Sequence, residues 1–331
     1  MALTNILLIV AVVLAALLLV AIARRWPWIA LFYLRLYRAQ RQAAQFYATC
    51  PWVTKNVVYD ASTSSRLDVF RPESGSNHPV IFYVYGGSWI SGNKELYAPA
   101  ALRLVPEGFV LVIPDYTLYP GAGNPRQTEE VAAALAWTLD HVAAYGGDPR
   151  RVVVVAQSAG GQISGLILSE PRWLAVHGHS ISEVRGFLGI SGAYDVAAIY
   201  DFHKANRRAR EAMAGVMQGP ENMPAASPLT HVGPSFPPTR LVHGDADLIV
   251  PLSVSQAFAA RLRSAGVPCE LLVYHGGGHA DILFRALVER PPRLLNDIVT
   301  FARAQTQSEP TAPSPAPRLG AEWSAQNASA D

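Results

Sequence analysis

Cysteine, charged residues and metal-binding patterns are all sparse in this sequence of 331 residues. The two cysteines, Cys50 and Cys269, lie far apart, which excludes a disulfide-dense secreted scaffold and a four-thiolate zinc site. The nine histidines are scattered and form no H-E-x-x-H pattern, so we expect no metal. No G-x-G-x-x-G pattern follows the first strand, so we expect no dinucleotide and no other cofactor.

Charge is low in amount and balanced in sign. Asp, Glu, Lys and Arg make up 16% of the residues, the formal net charge is +2, and no long basic run occurs. This composition argues against nucleic acid as a partner. Half of the residues, 50%, are hydrophobic, which allows a large core and excludes wholesale disorder.

The N-terminus carries an unbroken apolar run from Ile6 to Ala23. At about 1.5 Å per residue this run spans roughly 27 Å, which is close to the hydrocarbon core of a bilayer. We therefore predict a transmembrane anchor over residues 1–25. A cleaved signal peptide is the alternative, but no basic residue precedes the run. Arginines follow it instead, beginning at Arg24 and Arg25, which predicts that the bulk of the protein lies on the cytoplasmic side.

The segments that flank the central domain differ in composition from it. Residues 26–50 place apolar and aromatic side chains at helical spacing among arginines, which predicts a juxtamembrane amphipathic helix lying on the membrane. A helix packed on the domain is the alternative. Residues 305–331 are rich in Pro, Ala and Ser and poor in large apolar residues, which predicts a disordered tail.

Between these ends, short apolar runs alternate with helical patterns. The predicted strands of this region are Val80–Tyr85, Phe109–Pro114, Val152–Ala156, Gly186–Ser191, Thr239–His243 and Glu270–Tyr274. Continuous apolar strands separated by helices predict an α/β domain, with a mostly parallel sheet covered by helices on both faces. An antiparallel hairpin, Val53–Tyr59 with Arg66–Arg71, precedes it at one edge. The polar, helical segment 197–232 is predicted to be a small cap, or else a plain excursion of the chain.

The strongest chemical signal is Ser158, which lies in the sequence Ala156-Gln157-Ser158-Ala159-Gly160 between a predicted strand and a predicted helix. This is the setting of the G-x-S-x-G nucleophile elbow, with Ala in place of the first glycine. A serine that caps the helix is the structural alternative.

Acidic residues and a histidine follow the last two predicted strands. Thr239–His243 leads into Gly244-Asp245-Ala246-Asp247, and Glu270–Tyr274 leads into a triple glycine and His279. Because parallel strands end at the same edge of a sheet, these side chains are expected to meet Ser158 there. The order Ser, Asp, His along the chain is that of the α/β-hydrolases.

The segments YGGSW, DYTLYP, SGAYD, ASPL and HGDADLIVP carry a closer resemblance. They resemble the α/β-hydrolase esterases that have an H-G-G-x-W motif, a group that includes hormone-sensitive-lipase-like carboxylesterases, kynurenine formamidases and isoprenylcysteine methylesterases. The resemblance covers roughly Val53 to Ala304, which lies within the domain predicted at residues 51–304. Tyr85 stands where most relatives have the motif histidine, which is thought to brace the loop.

The resemblance implies a serine hydrolase mechanism. Ser158 is the expected nucleophile, His279 the expected base and Asp247 the expected acid, whereas Asp245 is expected to stabilise its loop. The expected oxyanion hole consists of Gly86, Gly87, Ser88 and Ala159. Asp115 and Asp195, which also follow strands, are expected to anchor loops, and His243 and His275 to make structural hydrogen bonds.

The function predicted from these residues is hydrolysis of small or lipophilic carboxylic esters, with the enzyme held at a membrane by its N-terminal helix. An amide-bond hydrolase of the arylformamidase type is one alternative, because the same machinery cleaves activated amides. A catalytically silent hydrolase fold used for binding is the other.

Overall fold

The computed structural model describes residues 44–60, 65–279 and 293–307, together with the single positions 37, 41 and 282. Eight strands form one sheet in the order β1-β2-β4-β3-β5-β6-β7-β8. The strands are β1 (Val53–Asp60), β2 (Ser65–Phe70), β3 (His78–Val84), β4 (Val110–Pro114), β5 (Gly147–Gln157), β6 (Val184–Ile190), β7 (Thr239–Gly244) and β8 (Cys269–Tyr274). The β1–β2 and β2–β4 pairs are antiparallel, and all the other pairs are parallel. The predicted sheet and its edge hairpin are therefore confirmed.

Helices connect the strands. They are α1 (Lys94–Tyr97), α2 (Ala101–Leu104), α3 (Arg126–His141), α4 (Ala159–Ser169), α5 (Arg172–Ala175), α6 (Val196–Phe202), α7 (Arg207–Val216), α8 (Leu252–Ser264) and α9 (Arg293–Gln307). Short 3-10 turns occupy Ala98–Ala100, Val142–Tyr145, Ile181–Glu183, Pro220–Asn222 and Pro228–Thr230. The turn that contains Pro99 separates α1 from α2.

Both faces of the sheet are covered, which explains the long apolar runs of its central strands β3, β4 and β5. A side chain at Gly186 of β6 would meet Phe301 of α9, whereas one at Gly189 would meet Tyr194. Tyr194 stacks on Phe258 of α8 with ring centroids 4.2 Å apart. Since side chains an odd number of residues apart point to opposite faces, α8 and α9 lie on opposite sides of the sheet.

The C-terminal boundary of the domain differs from the sequence-based prediction. We expected a disordered tail from residue 305, but α9 continues to Gln307. The added turn is held because Thr306 is buried and its hydroxyl donates to the Ala302 carbonyl, while Arg151 donates to the Thr306 carbonyl at 2.9 Å. The rest of the predicted tail lies outside the described residues.

The N-terminal segments are described only in part. Residues 44–49 are helical, and Phe46 stacks on Phe70 of β2 at 6.4 Å, so this end of the segment 26–50 packs on the domain. Within the described residues, no helix is both long enough and apolar enough to span a bilayer. The predicted anchor, residues 1–25, lies outside the described residues.

Candidate active site

Ser158 occupies a strained turn between β5 and α4. Its backbone has φ 52° and ψ −118°, a conformation that residues other than glycine rarely adopt. The turn is tight, because a Cβ at Gly160 would lie 2.3 Å from the Val84 carbonyl oxygen. The extra methyl group of Ala156, where the usual elbow has glycine, is fully buried in the core.

The structure brings Ser158 and His279 together, although they lie 121 positions apart in the chain. His279 Nε2 lies 2.8 Å from Ser158 Oγ, and His279 Nδ1 lies 2.7 Å from Asp247 Oδ2. The carboxylate can only accept, so Nδ1 donates to it and Nε2 is left to accept from the serine hydroxyl. The Asp247 side chain is fully buried and that of His279 is 13% exposed, so the group opens to solvent only at one end.

Four N–H groups surround the Asp247 carboxylate. The backbone N–H groups of Ile249 and Val250 both donate to Oδ1 at 2.9 Å. At Oδ2, His279 is joined by the buried His243, whose Nε2 lies 3.2 Å away. Burial alone raises the pKa of Asp247, but hydrogen bonds from His243 and His279 outweigh it and hold this pKa well below its ordinary value. Asp247 is therefore a charged carboxylate near neutral pH.

Asp245 lies in a different environment from Asp247. Its carboxylate accepts from His275 Nδ1 at 2.8 Å and from the Gly276 N–H at 2.7 Å, and the His275 side chain is largely exposed. The hydrogen bond from His275 lowers the pKa of Asp245. Asp245 thus ties the two loops that follow β7 and β8, and it does not contact His279.

The glycine-rich loop after β3 lies directly against the elbow. A Cβ at Gly86 would lie 2.7 Å from the Cβ of Ser158. Gly87 has φ 132°, and the next two residues, Ser88 and Trp89, also have positive φ values of 54° and 64°. The N–H groups of Gly87, Ser88 and Ala159 donate to no carbonyl of the described residues, so they are available to an oxyanion.

Three side chains hold this loop. Two of them, Gln127 and Gln162, were not identified from the sequence, and the third, Asp115, was given only a general role as a loop anchor. Gln162 of α4 accepts from the Trp89 indole at 2.8 Å, and Gln127 of α3 donates to the Trp89 carbonyl at 3.1 Å. Asp115 accepts from the Tyr85 hydroxyl at 2.9 Å. Its position at the end of β4 had marked Asp115 as a loop anchor, whereas the two glutamines lie inside helical patterns that carry no such signal.

A metal-ion site is not found among the residues that the structure describes: no group of three His, Cys, Asp or Glu side chains there could hold one. Cys50 and Cys269 are free thiols. The groups that the structure brings together at this site are the serine, the histidine, the aspartate and the backbone N–H groups.

The fold and this site define an esterase of the α/β-hydrolase class. The BD-FAE family model matches residues 67–262, which is more than half of the chain, and the chain belongs to this family.

Curated relatives and solved structures agree with this assignment. A probable isoprenylcysteine alpha-carbonyl methylesterase from Oryza sativa is 29% identical over 82% of this chain and 69% of its own length. Esterase LipC of Mycobacterium tuberculosis is 30% identical over 69% of this chain and 60% of its own. A hyperthermophilic esterase from Pyrobaculum calidifontis shares the fold with a TM-score of 0.69 at 18% identity, over 82% of this chain and 93% of that one. The prediction of a carboxylic-ester hydrolase is confirmed.

Proposed function

We propose that this esterase works through a Ser158–His279–Asp247 triad and an acyl-enzyme intermediate. The observation that carries the proposal is the continuous chain of contacts from Ser158 Oγ to His279 at 2.8 Å and from His279 to Asp247 at 2.7 Å. Ser158 Oγ attacks the ester carbonyl while its proton passes to His279 Nε2. His279 then gives that proton to the leaving alcohol, and water, activated by the same nitrogen, releases the acid.

The remaining members of the site have electrostatic roles in this proposal. Asp247 keeps His279 in the tautomer that can accept from serine and balances the imidazolium charge. The negative oxygen of the tetrahedral intermediate lies against the N–H groups of Gly87, Ser88 and Ala159, each typically worth about 3 kcal/mol. Gly86 contributes space, because any side chain there would collide with the elbow.

A lipophilic ester is the proposed substrate class. Large apolar side chains are exposed at the acid loop, residues 245–251 between β7 and α8: Leu248 and Ile249 lie in this loop, and Phe202 lies at the end of α6. The end of α6 lies next to this loop, because Nε2 of His203, the residue after Phe202, lies 2.8 Å from the Ile249 carbonyl. The relatives named isoprenylcysteine methylesterases support a lipophilic carboxyl methyl ester.

The membrane context is proposed along with the substrate. Residues 1–25 would anchor the chain, with the catalytic domain on the cytoplasmic side, because the arginines follow the apolar run. The segment 197–232, which contains most of α6 and the whole of α7, would act as the cap above the strand ends, with Phe202 as part of it. A reporter fused to each end of the chain tests the orientation, and a translocated C-terminus would contradict it.

The triad proposal is tested with a panel of p-nitrophenyl esters from acetate to palmitate, run beside N-formylkynurenine. Wild type should hydrolyse the esters, and Ser158→Ala should reduce kcat/KM by about 10⁴-fold or more. A Ser158→Ala variant with wild-type activity would overturn the proposal. Faster turnover of N-formylkynurenine than of every ester would favour the amide-hydrolase alternative.

The role of the exposed apolar residues is tested by a matched pair of substitutions. Leu248 is 76% exposed in the acid loop, and Val176 is 78% exposed near the far end of α4. Leu248→Gln should reduce hydrolysis of long-chain esters in lipid vesicles several-fold but leave p-nitrophenyl acetate unaffected. Val176→Gln should affect neither substrate. Equal effects of the two substitutions would contradict the proposed role of Leu248.

A further inference from the structure

The oxyanion loop, residues 86–93, must hold an unfavourable backbone conformation. Ser88 and Trp89 both have positive φ, and so do Gly87 and Gly92. Non-glycine residues in such conformations are strained, and the conformations persist only where surrounding contacts fix them. The N–H groups that would bind the oxyanion, those of Gly87 and Ser88, lie in this strained part.

One carboxylate contacts both ends of the loop. Tyr85 is the residue before the loop and Lys94 is the residue after it. Asp115 Oδ1 accepts a hydrogen bond from the Tyr85 hydroxyl at 2.9 Å and another from the Lys94 backbone N–H at 2.7 Å. The Lys94 ammonium lies 3.5 Å from the second oxygen, Asp115 Oδ2, and is almost fully buried. The same ammonium lies 3.6 Å from the buried Asp68 carboxylate, so Lys94 offsets the charge of Asp115 in part.

Tyr85 is itself fixed from several directions. Its ring lies 4.9 Å from that of Tyr116 and 5.4 Å from that of Tyr97, and both pairs are stacked. Its carbonyl accepts from the Tyr116 hydroxyl at 3.2 Å. Burial, followed by the charge of Asp115, raises the pKa of Tyr85 far above its ordinary value, so its hydroxyl remains a hydrogen-bond donor.

We propose that Asp115 is a positioning residue for the oxyanion hole, and that it acts through its hydrogen bond with the Tyr85 hydroxyl. By holding Tyr85 and Lys94 together, the carboxylate closes the loop and fixes the N–H groups of Gly87 and Ser88 beside Ser158. Tyr85 and Asp115 together take the place of the bracing histidine of the H-G-G-x-W motif. The inference rests on the proposed serine mechanism, because it needs an oxyanion to form at Ser158.

Four variants test this inference, with active sites titrated so that rates refer to folded enzyme. Tyr85→Phe removes one oxygen atom and keeps the stacked ring, while Asp115→Ala removes the carboxylate. Both should lower kcat roughly tenfold to a hundredfold and leave KM within about threefold, because a displaced oxyanion donor acts in the transition state. Asp115→Asn keeps an acceptor oxygen and should retain more activity than Asp115→Ala. Tyr97→Phe is the matched control, since Tyr97 belongs to the same ring cluster and its hydroxyl makes no hydrogen bond to the described residues; it should match wild type.

A second readout separates positioning from general destabilisation. Affinity for a trifluoromethyl ketone, which forms a tetrahedral adduct with the serine, should fall by the same factor as kcat/KM in each variant. If Asp115→Ala fails to fold, Tyr85→Phe alone decides. Wild-type kcat and ketone affinity in Tyr85→Phe would overturn the inference. If Ser158→Ala is inactive in the same assays, the triad proposal stands independently of that result.

Discussion

The two sides of the active site are built in different ways. On the acid side, Asp247 is held by His243, Ile249 and Val250, all within four residues of it in the chain. On the oxyanion side, the contacts come from far away in sequence: Asp115 lies 30 positions from Tyr85, and Gln127 and Gln162 lie 38 and 73 positions from Trp89.

This difference decides what each side requires. The acid loop is a short motif whose own backbone and side chains orient the carboxylate, so it depends little on the rest of the domain. The oxyanion loop is strained, and helices α3 and α4 together with the end of β4 hold it. Substitutions should therefore act locally on the acid side and at long range on the oxyanion side.

The largest expected effect distinguishes the two aspartates of the acid loop. Asp247→Asn should lower kcat about 10³- to 10⁴-fold, because an amide no longer holds His279 in the tautomer that accepts from serine. Asp245→Asn is the matched control, the same change two residues away on a carboxylate that contacts His275, and it should cost less than about threefold. Steady-state kinetics on one soluble ester measure both, and nearly full activity in Asp247→Asn would remove that residue from the triad.

An intermediate effect is expected when the oxyanion loop loses a distant contact. Gln127 is buried, and the two N–H groups of its amide are shared among three carbonyls, those of Trp89, Thr117 and Ala122. Gln127→Leu leaves these acceptors unpaired and should lower kcat about tenfold, as well as reducing stability by about 1–3 kcal/mol. Thr128→Val changes the adjacent buried residue, whose hydroxyl contacts Asn124 and not the loop. Equal kinetic losses in both variants would mean that α3 has no specific role in positioning Trp89.

The smallest effect concerns stability on the acid side. His243 Nε2 lies 2.9 Å from the Val250 carbonyl and 3.2 Å from Asp247 Oδ2; both oxygens only accept, so Nε2 carries a proton. His243→Leu removes this donor, whereas His243→Gln can keep one. Unfolding experiments should find His243→Leu less stable than His243→Gln by about 1–3 kcal/mol near neutral pH.

The pH dependence of that difference follows from the lowered pKa of Asp247. A carboxyl whose folded-state pKa is depressed stabilises the fold above its unfolded pKa of about 3.9, and this stabilisation is lost as the pH falls toward the folded value. Removing a donor raises the folded pKa and so reduces the stabilisation. The difference between the two variants should be constant from pH 5 to 7 and shrink below about pH 4. A constant difference down to pH 2 would show that Asp247 is not its source.

The acid side and the nucleophile were predictable from sequence, for a physical reason. A strand, a turn and a functional residue are adjacent in the chain at Ser158, Asp247 and His279, and parallel strands bring such turns to one edge. The central strands were also predictable from local sequence, because strands buried on both faces are continuously apolar. The edge hairpin was predictable because a few polar residues separate its two strands.

The oxyanion side was predictable only in its glycines. Gln127 and Gln162 are buried polar residues in otherwise ordinary helices, and neither spacing nor propensity indicates which carbonyl or indole they contact. The exchange of the motif histidine for Tyr85 raised the question of how the loop is braced, but Asp115 as its partner became evident only from the fold. Helix α9 extends three residues beyond its predicted end, and this extension also depends on tertiary contacts, those of Thr306.

The central claim, that Ser158 is activated by His279, is tested most directly by fluorophosphonate labelling followed by peptide mass spectrometry. The account predicts a single adduct on Ser158 that forms in step with the loss of esterase activity, and that forms at least about a hundredfold more slowly in a His279→Gln variant. An adduct on another residue, or unchanged labelling of Ser158 after His279 is replaced, would contradict it.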